Sequence, residues 1–190
     1  MVGMSDTADT DRHLTGEQLD AGWAASARPR DVGTVEMIVR RPAEDEREVL
    51  SEAQLVVGAG LVGDNYLARG SMHTEDRSAH PEAQLNLMNA SAIDVVTGGD
   101  RSRWAQAGDQ FFVDLDLSVD HLPVGTRLSI GSAVIEVSAK PHNGCAKFAR
   151  RFGQDAARWV NRQKQERRRG LNAMVVEPGI VHPGDQIRKL

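Results

Sequence analysis

The stretch QFFVDLDL, Gln110–Leu117, puts Phe111, Val113, Leu115 and Leu117 on one side of an extended chain, and so apolar a face demands a second layer to cover it. A hairpin signal comes next: Thr126 to Ile130 and Ala133 to Ser138 flank Gly131-Ser132, the pattern of two strands joined by a two-residue turn. Further strands are expected at Val35–Val39, Gln54–Val57, Gln84–Met88, Asn172–Glu177 and Gln186–Lys189, with Pro178-Gly179 and Pro183-Gly184 as turns. Helices are fewer and shorter. Thr15 and Gln18 form a capping-box pair that opens one helix, stopped near Ala27 by Arg28-Pro29-Arg30. Asn89 caps a second through Val96, and Asp100 caps a third that carries Trp104. Phe148, Phe152, Ala156 and Trp159 share the apolar side of a helix that breaks near Gly153, with Trp159 in the core. Strands outnumber helices without alternating regularly with them. The fold class is therefore β-rich α+β, a closed or nearly closed sheet with short peripheral helices.

The 190 residues suit one domain: a polar tail over 1–12, expected to be disordered, then a single unit over 13–190 with no internal linker. Aromatic residues make up only 4%, so the core must be mostly aliphatic. The net charge of −4 argues against a dedicated nucleic-acid binder. Charge is unevenly spread: residues 147–169 hold nine Lys/Arg against two acids, a net +7, which leaves −11 elsewhere. The single cysteine, Cys145, excludes internal disulfides and a self-contained iron–sulfur cluster. No apolar run approaches the ~20 residues of a membrane span. The acidic N-terminus resembles neither a signal nor a transit peptide, so a cytoplasmic protein is expected.

Residues Gly58-Ala59-Gly60-Leu61-Val62-Gly63 match the glycine pattern of dinucleotide-binding loops. The context does not. A strand precedes the glycines, but the residues after Gly63 carry no helical apolar stripe and are interrupted by Gly70 and Pro81; no later strand ends in a carboxylate at the required distance. The glycines are read instead as a turn that opens a long ordered loop over 58–83.

The chemically informative junction is Lys140-Pro141-His142-Asn143-Gly144-Cys145-Ala146-Lys147, where a strand gives way to a helix. A thiol at a helix start between two lysines sits where thiolate is favoured, and thiolate is the form that ligates metal or carries a persulfide. Two readings stand side by side: a small buried apolar residue, which free cysteines commonly are, or an exposed functional thiol. Lys147, Arg150 and Arg151 crowd the first two turns of the helix, where cations oppose the helix dipole; they form either a solvated basic face or a site for a bound anion such as phosphate.

Taken in order, Gly60-Leu61-Val62-Gly63-Asp64, AGDQFFVDLDL, LPVGTRLSIGSAVIEVSAKPHNGC and RRRGLNAMVVEPGIVHPGDQI resemble a MOSC domain of the stand-alone bacterial type, over about residues 33–190. The family is named for the C-terminal part of molybdenum-cofactor sulfurases. The resemblance implies a β-barrel core and makes Cys145 the functional sulfur. In the reductases of the family that cysteine ligates the molybdenum of a pterin cofactor, and the substrates are N-hydroxylated compounds. The resemblance further offers Lys140, His142, Asn143, Lys147, Arg69, His80, Arg168 and Asn172 as candidates to hold the molybdenum cofactor (molybdopterin), through its phosphate and ring edge. An external electron-transfer protein would be required. The alternative is a sulfur carrier that accepts a persulfide on Cys145 from a cysteine desulfurase, pyridoxal phosphate entering only through that separate partner. A third reading, a cofactor-free binding fold, expects Cys145 to be buried.

Overall fold

The computed structural model describes residues 13–190; the N-terminal tail expected to be disordered lies outside them. In chain order the elements are α1 (Gly16–Ala25), β1 (Val32–Arg40), β2 (Glu48–Leu50), β3 (Ala53–Val56), β4 (Gly60–Leu61), α2 (Tyr66–Arg69), β5 (Leu85–Asn89), α3 (Ala90–Thr97), β6 (Phe111–Asp114), β7 (Arg127–Ile130), β8 (Ala133–Val137), α4 (Ala146–Phe152), α5 (Gln154–Arg162), β9 (Leu171–Glu177), β10 (Gly179–Val181) and β11 (Gln186–Lys189). Short 3-10 helices cover Pro81–Ala83 and Arg101–Ala107.

Seven strands close into a barrel in the order β1-β11-β7-β8-β9-β5-β6 and back to β1, with β2 added along β1. Only the β5–β6 contact is parallel, because α3 carries the chain from one strand to the other. Closure leaves no exposed sheet edge in this ring. The strands β10, β3 and β4 form a small separate sheet.

Alternation sorts neighbouring residues into two cores. Ile38, Leu87, Phe111, Val113, Leu115 and Leu117 fill the barrel. Val39, Met88 and Phe112 point outward into a helical layer with Leu19, Trp23, Phe148, Phe152 and Trp159. All five residues of β5 are therefore buried, since both of its faces are covered.

The expected caps are present. Thr15 and Gln18 make the reciprocal capping box, Asn89 Oδ1 accepts from Ala92 N at 3.2 Å, and Asp100 Oδ1 accepts from Ser102 N at 3.1 Å. The hairpin turns at Gly131-Ser132, and the helix after Cys145 breaks at Gly153, whose φ of 91° ends α4. Two expectations need correction, and one strand is added. The segment 58–83 is not one loop but holds β4, α2 and a 3-10 turn. The added strand is Glu48–Leu50, which the sequence reading did not assign and whose exposed face shows no buried alternation. Gly179, read as a turn residue, begins β10 and pairs with Leu55. The strands β2 and β4 are held by pairing with the neighbouring strands β1 and β3, and β10 by pairing with β3 far back in the sequence, none of which local periodicity reveals.

Candidate functional site

The segment from Ala139 to Cys145 leaves β8 without regular structure and is fixed at three points. Asn172, on β9, donates through Nδ2 to the carbonyls of Lys140 (2.9 Å) and Pro141 (3.1 Å). His142 Nε2 lies 2.6 Å from Asp109 Oδ1. Asn161, on α5, accepts from Gly144 N at 2.8 Å through Oδ1 and returns a bond to Gly144 O at 3.1 Å through Nδ2. Immediately after these clamps stands Cys145. It is the N-cap of α4, makes no side-chain capping bond and is exposed. Of the two readings of this residue, the structure shows the exposed thiol; the burial that the cofactor-free reading expects is not found.

The clamp on Lys140 and Pro141 continues inward. Asn86 Nδ2 donates to Asn172 Oδ1, Arg41 Nη1 donates to Asn86 Oδ1 at 2.9 Å, and Arg41 holds Asp64 by Nε at 2.9 Å and Nη2 at 2.8 Å. Asp64 closes the glycine segment: Gly60 and Gly63 take φ of 73° and 79°, and Asp64 Oδ1 accepts from Tyr66 N at 3.0 Å, which starts α2. The glycines thus make a turn, as expected, and the aspartate after them supports the cysteine loop from behind.

Cys145 opens onto a cleft of about 860 Å³. Seven cations line it: Arg41, Arg47, Arg69, Lys140, Lys147, Arg151 and Arg169. Four of them meet carboxylates. Arg41 pairs with buried Asp64 and Arg169 with buried Asp109, while Lys147 and Arg151 reach Glu44 and Asp45 on the loop after β1. Arg47, Arg69 and Lys140 have no carboxylate within salt-bridge reach among the described residues. Burial, then the like charges of Arg151 and Arg41, push the Arg47 guanidinium below its ordinary value. Of six buried side-chain polar atoms without a hydrogen-bond partner among the described residues, three belong to this wall: Arg47 Nε, Asn65 Oδ1 and Arg169 Nε.

Asp109 sits fully buried between His142 and Arg169. Burial alone would raise its pKa, but the adjoining Arg169 and His142 outweigh that and hold it below the usual carboxylate range. Burial, then the Arg169 charge, push His142 below its ordinary value, so its ring is neutral near pH 7. With Nε2 on Asp109, Nδ1 is the ring nitrogen left without a protein partner among the described residues.

Of the sequence candidates, Arg69, Lys140, His142, Asn143, Cys145, Lys147 and Asn172 are brought together on the cleft wall. Asn172 donates through its amide to both loop carbonyls, so it shapes the wall. The conflict between Lys147 and the helix dipole is met by Glu44 and Asp45. His80 lies in an adjoining side pocket. Arg168 is not on the wall: it stacks over Trp159 at 4.5 Å and pairs with Asp20 and Glu166 in the helical layer. Its neighbour Arg169 takes the cleft position. Sequence reasoning missed Arg169, Arg41, Asp64, Asn86 and Asp109. The triple arginine at 167–169 is a signal for the first, and Asp64 is legible as the residue that closes the glycine block.

A family model described as the MOSC domain matches residues 74–188, more than half of the chain. No curated protein matches it significantly. Among solved structures, the YuaD protein of Bacillus subtilis superposes with a TM-score of 0.59 at 17% identity, over 82% of this chain and 94% of that one. YiiM of Escherichia coli gives 0.55 at 18% identity, over 83% and 69% respectively. YiiM of Geobacillus stearothermophilus gives 0.51 at 13%, over 86% and 74%. At these identities the superpositions establish the barrel fold. Among the described residues no helix is long and apolar enough to cross a membrane.

Proposed function

We propose that this chain, which belongs to the MOSC domain family, binds a molybdenum–pterin cofactor in the cationic cleft, takes Cys145 as the protein's ligand to the metal, and reduces N-hydroxylated compounds in the cytoplasm. The observation that carries the reading is the exposed thiol of Cys145, which makes no capping bond, on a wall where three cations have no carboxylate within salt-bridge reach among the described residues. A thiolate suits a soft metal, and unpaired Arg/Lys beside buried orphan donors suit a phosphate. Among the described residues no group of three His, Cys, Asp or Glu could hold a metal ion by itself. A metal at Cys145 would therefore take its other ligands from the group that carries it.

The bound cofactor would supply a two-electron centre for removing oxygen from nitrogen. The chain's own residues have separate tasks. Arg47, Arg69 and Lys140 would hold the anionic end of the group, and Asn143 would offer its amide to the ring. Asn172 and Asn161 keep Cys145 from shifting. His142, which donates through Nε2 to Asp109, presents a neutral ring whose bare Nδ1 can accept a hydrogen bond. The overall reaction breaks the N–O bond, consumes two electrons and two protons and releases water. With one cysteine in the chain, the electrons come from an external electron-transfer protein.

Metal analysis of protein made in a cofactor-competent host tests this. Wild type is expected to carry molybdenum and Cys145→Ala to carry little; equal content in the two defeats the proposal. The exposure of Cys145 also favours a second reading, a sulfur carrier that accepts a persulfide from a cysteine desulfurase. Incubation with such an enzyme would then add roughly 32 Da at Cys145, the mass of one sulfur atom, and an unmodified thiol removes that reading.

A further inference from the structure

Beside the cleft lies a side pocket of about 520 Å³. It shares Arg69, His73, Ala83 and Lys140 with the cleft, so the two volumes meet at a common wall. Arg77 and His80 line the side pocket alone, and no carboxylate lines it among the described residues. The only side-chain hydrogen bond of Arg77 among the described residues is Nη1 to Met72 Sδ at 3.1 Å, and a thioether is a weak acceptor that does not offset the charge. His80 Nδ1 accepts from Glu82 N at 3.2 Å, which leaves Nε2 as the ring nitrogen that can donate. The acids nearest in sequence, Glu75 and Asp76, do not line the pocket, and Asp76 Oδ1 accepts from Ser78 N.

The outer wall is a built feature. Ser71 N donates to Arg77 O at 3.3 Å, Arg77 N to Thr74 O at 3.3 Å, and Thr74 Oγ1 to Ser71 O at 3.1 Å and to Ser78 O at 2.6 Å. A Cβ at Gly70, where φ is +63°, would stand 2.2 Å from the Arg77 carbonyl, so this close return of the loop requires glycine. The loop thus fixes the backbone of Arg77, whose exposed side chain lines the pocket that adjoins the cysteine cleft.

We propose that the side pocket receives an oxyanion, carboxylate or phosphate, carried by the substrate, and that the natural substrate is an anionic N-hydroxylated compound. This rests on the reductase reading of the cleft. The other source of the same chemistry is the phosphate of the cofactor itself, and the two are separable because Arg77 lines the side pocket and not the cleft.

Wild type, Arg77→Gln and Arg77→Lys, each prepared in a cofactor-competent host, are titrated calorimetrically with a neutral aryl amidoxime and with its carboxylate-bearing analogue. The same samples are analysed for molybdenum, and thermal unfolding checks that all three are folded. Wild type is expected to bind the carboxylated compound about tenfold more tightly, the scale of one charge-assisted hydrogen bond. That ratio falls to about one in Arg77→Gln and is largely kept in Arg77→Lys, with molybdenum content equal throughout. Equal affinities in wild type overturn the proposal, as does a preference that survives Arg77→Gln. If Arg77→Gln loses molybdenum, the pocket serves the cofactor's phosphate and the substrate assignment fails. The titration needs no turnover, so a protein without molybdenum defeats the reductase reading separately while the affinity ratio still judges the pocket.

Discussion

Arg41 and Asp64 form a two-point ion pair, Nη2 to Oδ1 at 2.8 Å and Nε to Oδ2 at 2.9 Å, with side chains 5% and 0% exposed. Arg41 N also donates to Asp64 Oδ2 at 3.0 Å. Removing the carboxylate leaves a buried guanidinium beside Asn86 with its strongest partner gone. Asp64→Ala is expected to destabilise the fold by about 3–5 kcal/mol, read from denaturant midpoints. A loss below about 1 kcal/mol, within the range of an exposed pair, would contradict the burial of these two side chains.

Asn172 joins the same network to the cysteine loop. Asn172→Leu leaves the Lys140 and Pro141 carbonyls and the Asn86 amide unsatisfied, at an expected cost of about 1–3 kcal/mol for each group that stays buried. Amide exchange at Asn143 and Gly144 should speed up in this variant, because the loop then hangs from His142 and Asn161 alone. Unchanged exchange would show that the clamp is not needed.

Cys145 itself should matter little for stability. Its side chain is exposed and makes no capping bond. Cys145→Ala is expected to unfold within about 0.5 kcal/mol of wild type, while the native wild-type thiol reacts with a small disulfide reagent without prior unfolding. A thiol that reacts only in denaturant would return Cys145 to the core.

Stability should depend on pH through His142. Burial, then the Arg169 charge, hold this ring below its ordinary 6.5. Between the folded pKa and 6.5 the unfolded chain binds the additional proton, so stability is full above 6.5 and declines as pH falls through that window. The urea midpoint is expected to be lower at about pH 5.5 than at about pH 7.5, and His142→Gln should flatten that difference. Asp109, held below its ordinary 3.8, adds stability that is present above that value and lost only in stronger acid.

Much of the barrel was legible from the sequence. Alternation in Phe111–Leu117, the two-residue turn at Gly131-Ser132 and the caps at Thr15, Asn89 and Asp100 are local codes, each written within a few residues. The glycine segment could be set aside as a nucleotide loop for the same reason, since the helix it would need is missing from the residues after it. Cys145 stood out because its neighbours are polar and turn-forming. The wall around it was less legible. Arg168 and Arg169 are adjacent and identical, and only their partners tell them apart: Asp20 and Glu166 hold Arg168 in the helical layer, while buried Asp109 holds Arg169 at the cleft.

The sequence by itself therefore determined the β-rich class, the phase of the main strands and the residue on which the proposed chemistry centres. Only the tertiary structure decided that the barrel closes through β1 and β11, that the thiol is exposed, and which cations are free to meet an anion. The contacts that decide the site span 23 residues from Arg41 to Asp64, 45 from Arg41 to Asn86 and 86 from Asn86 to Asn172. Periodicity acts over one or two turns of chain, whereas a buried polar group takes its partner from whatever the fold brings within about 3 Å.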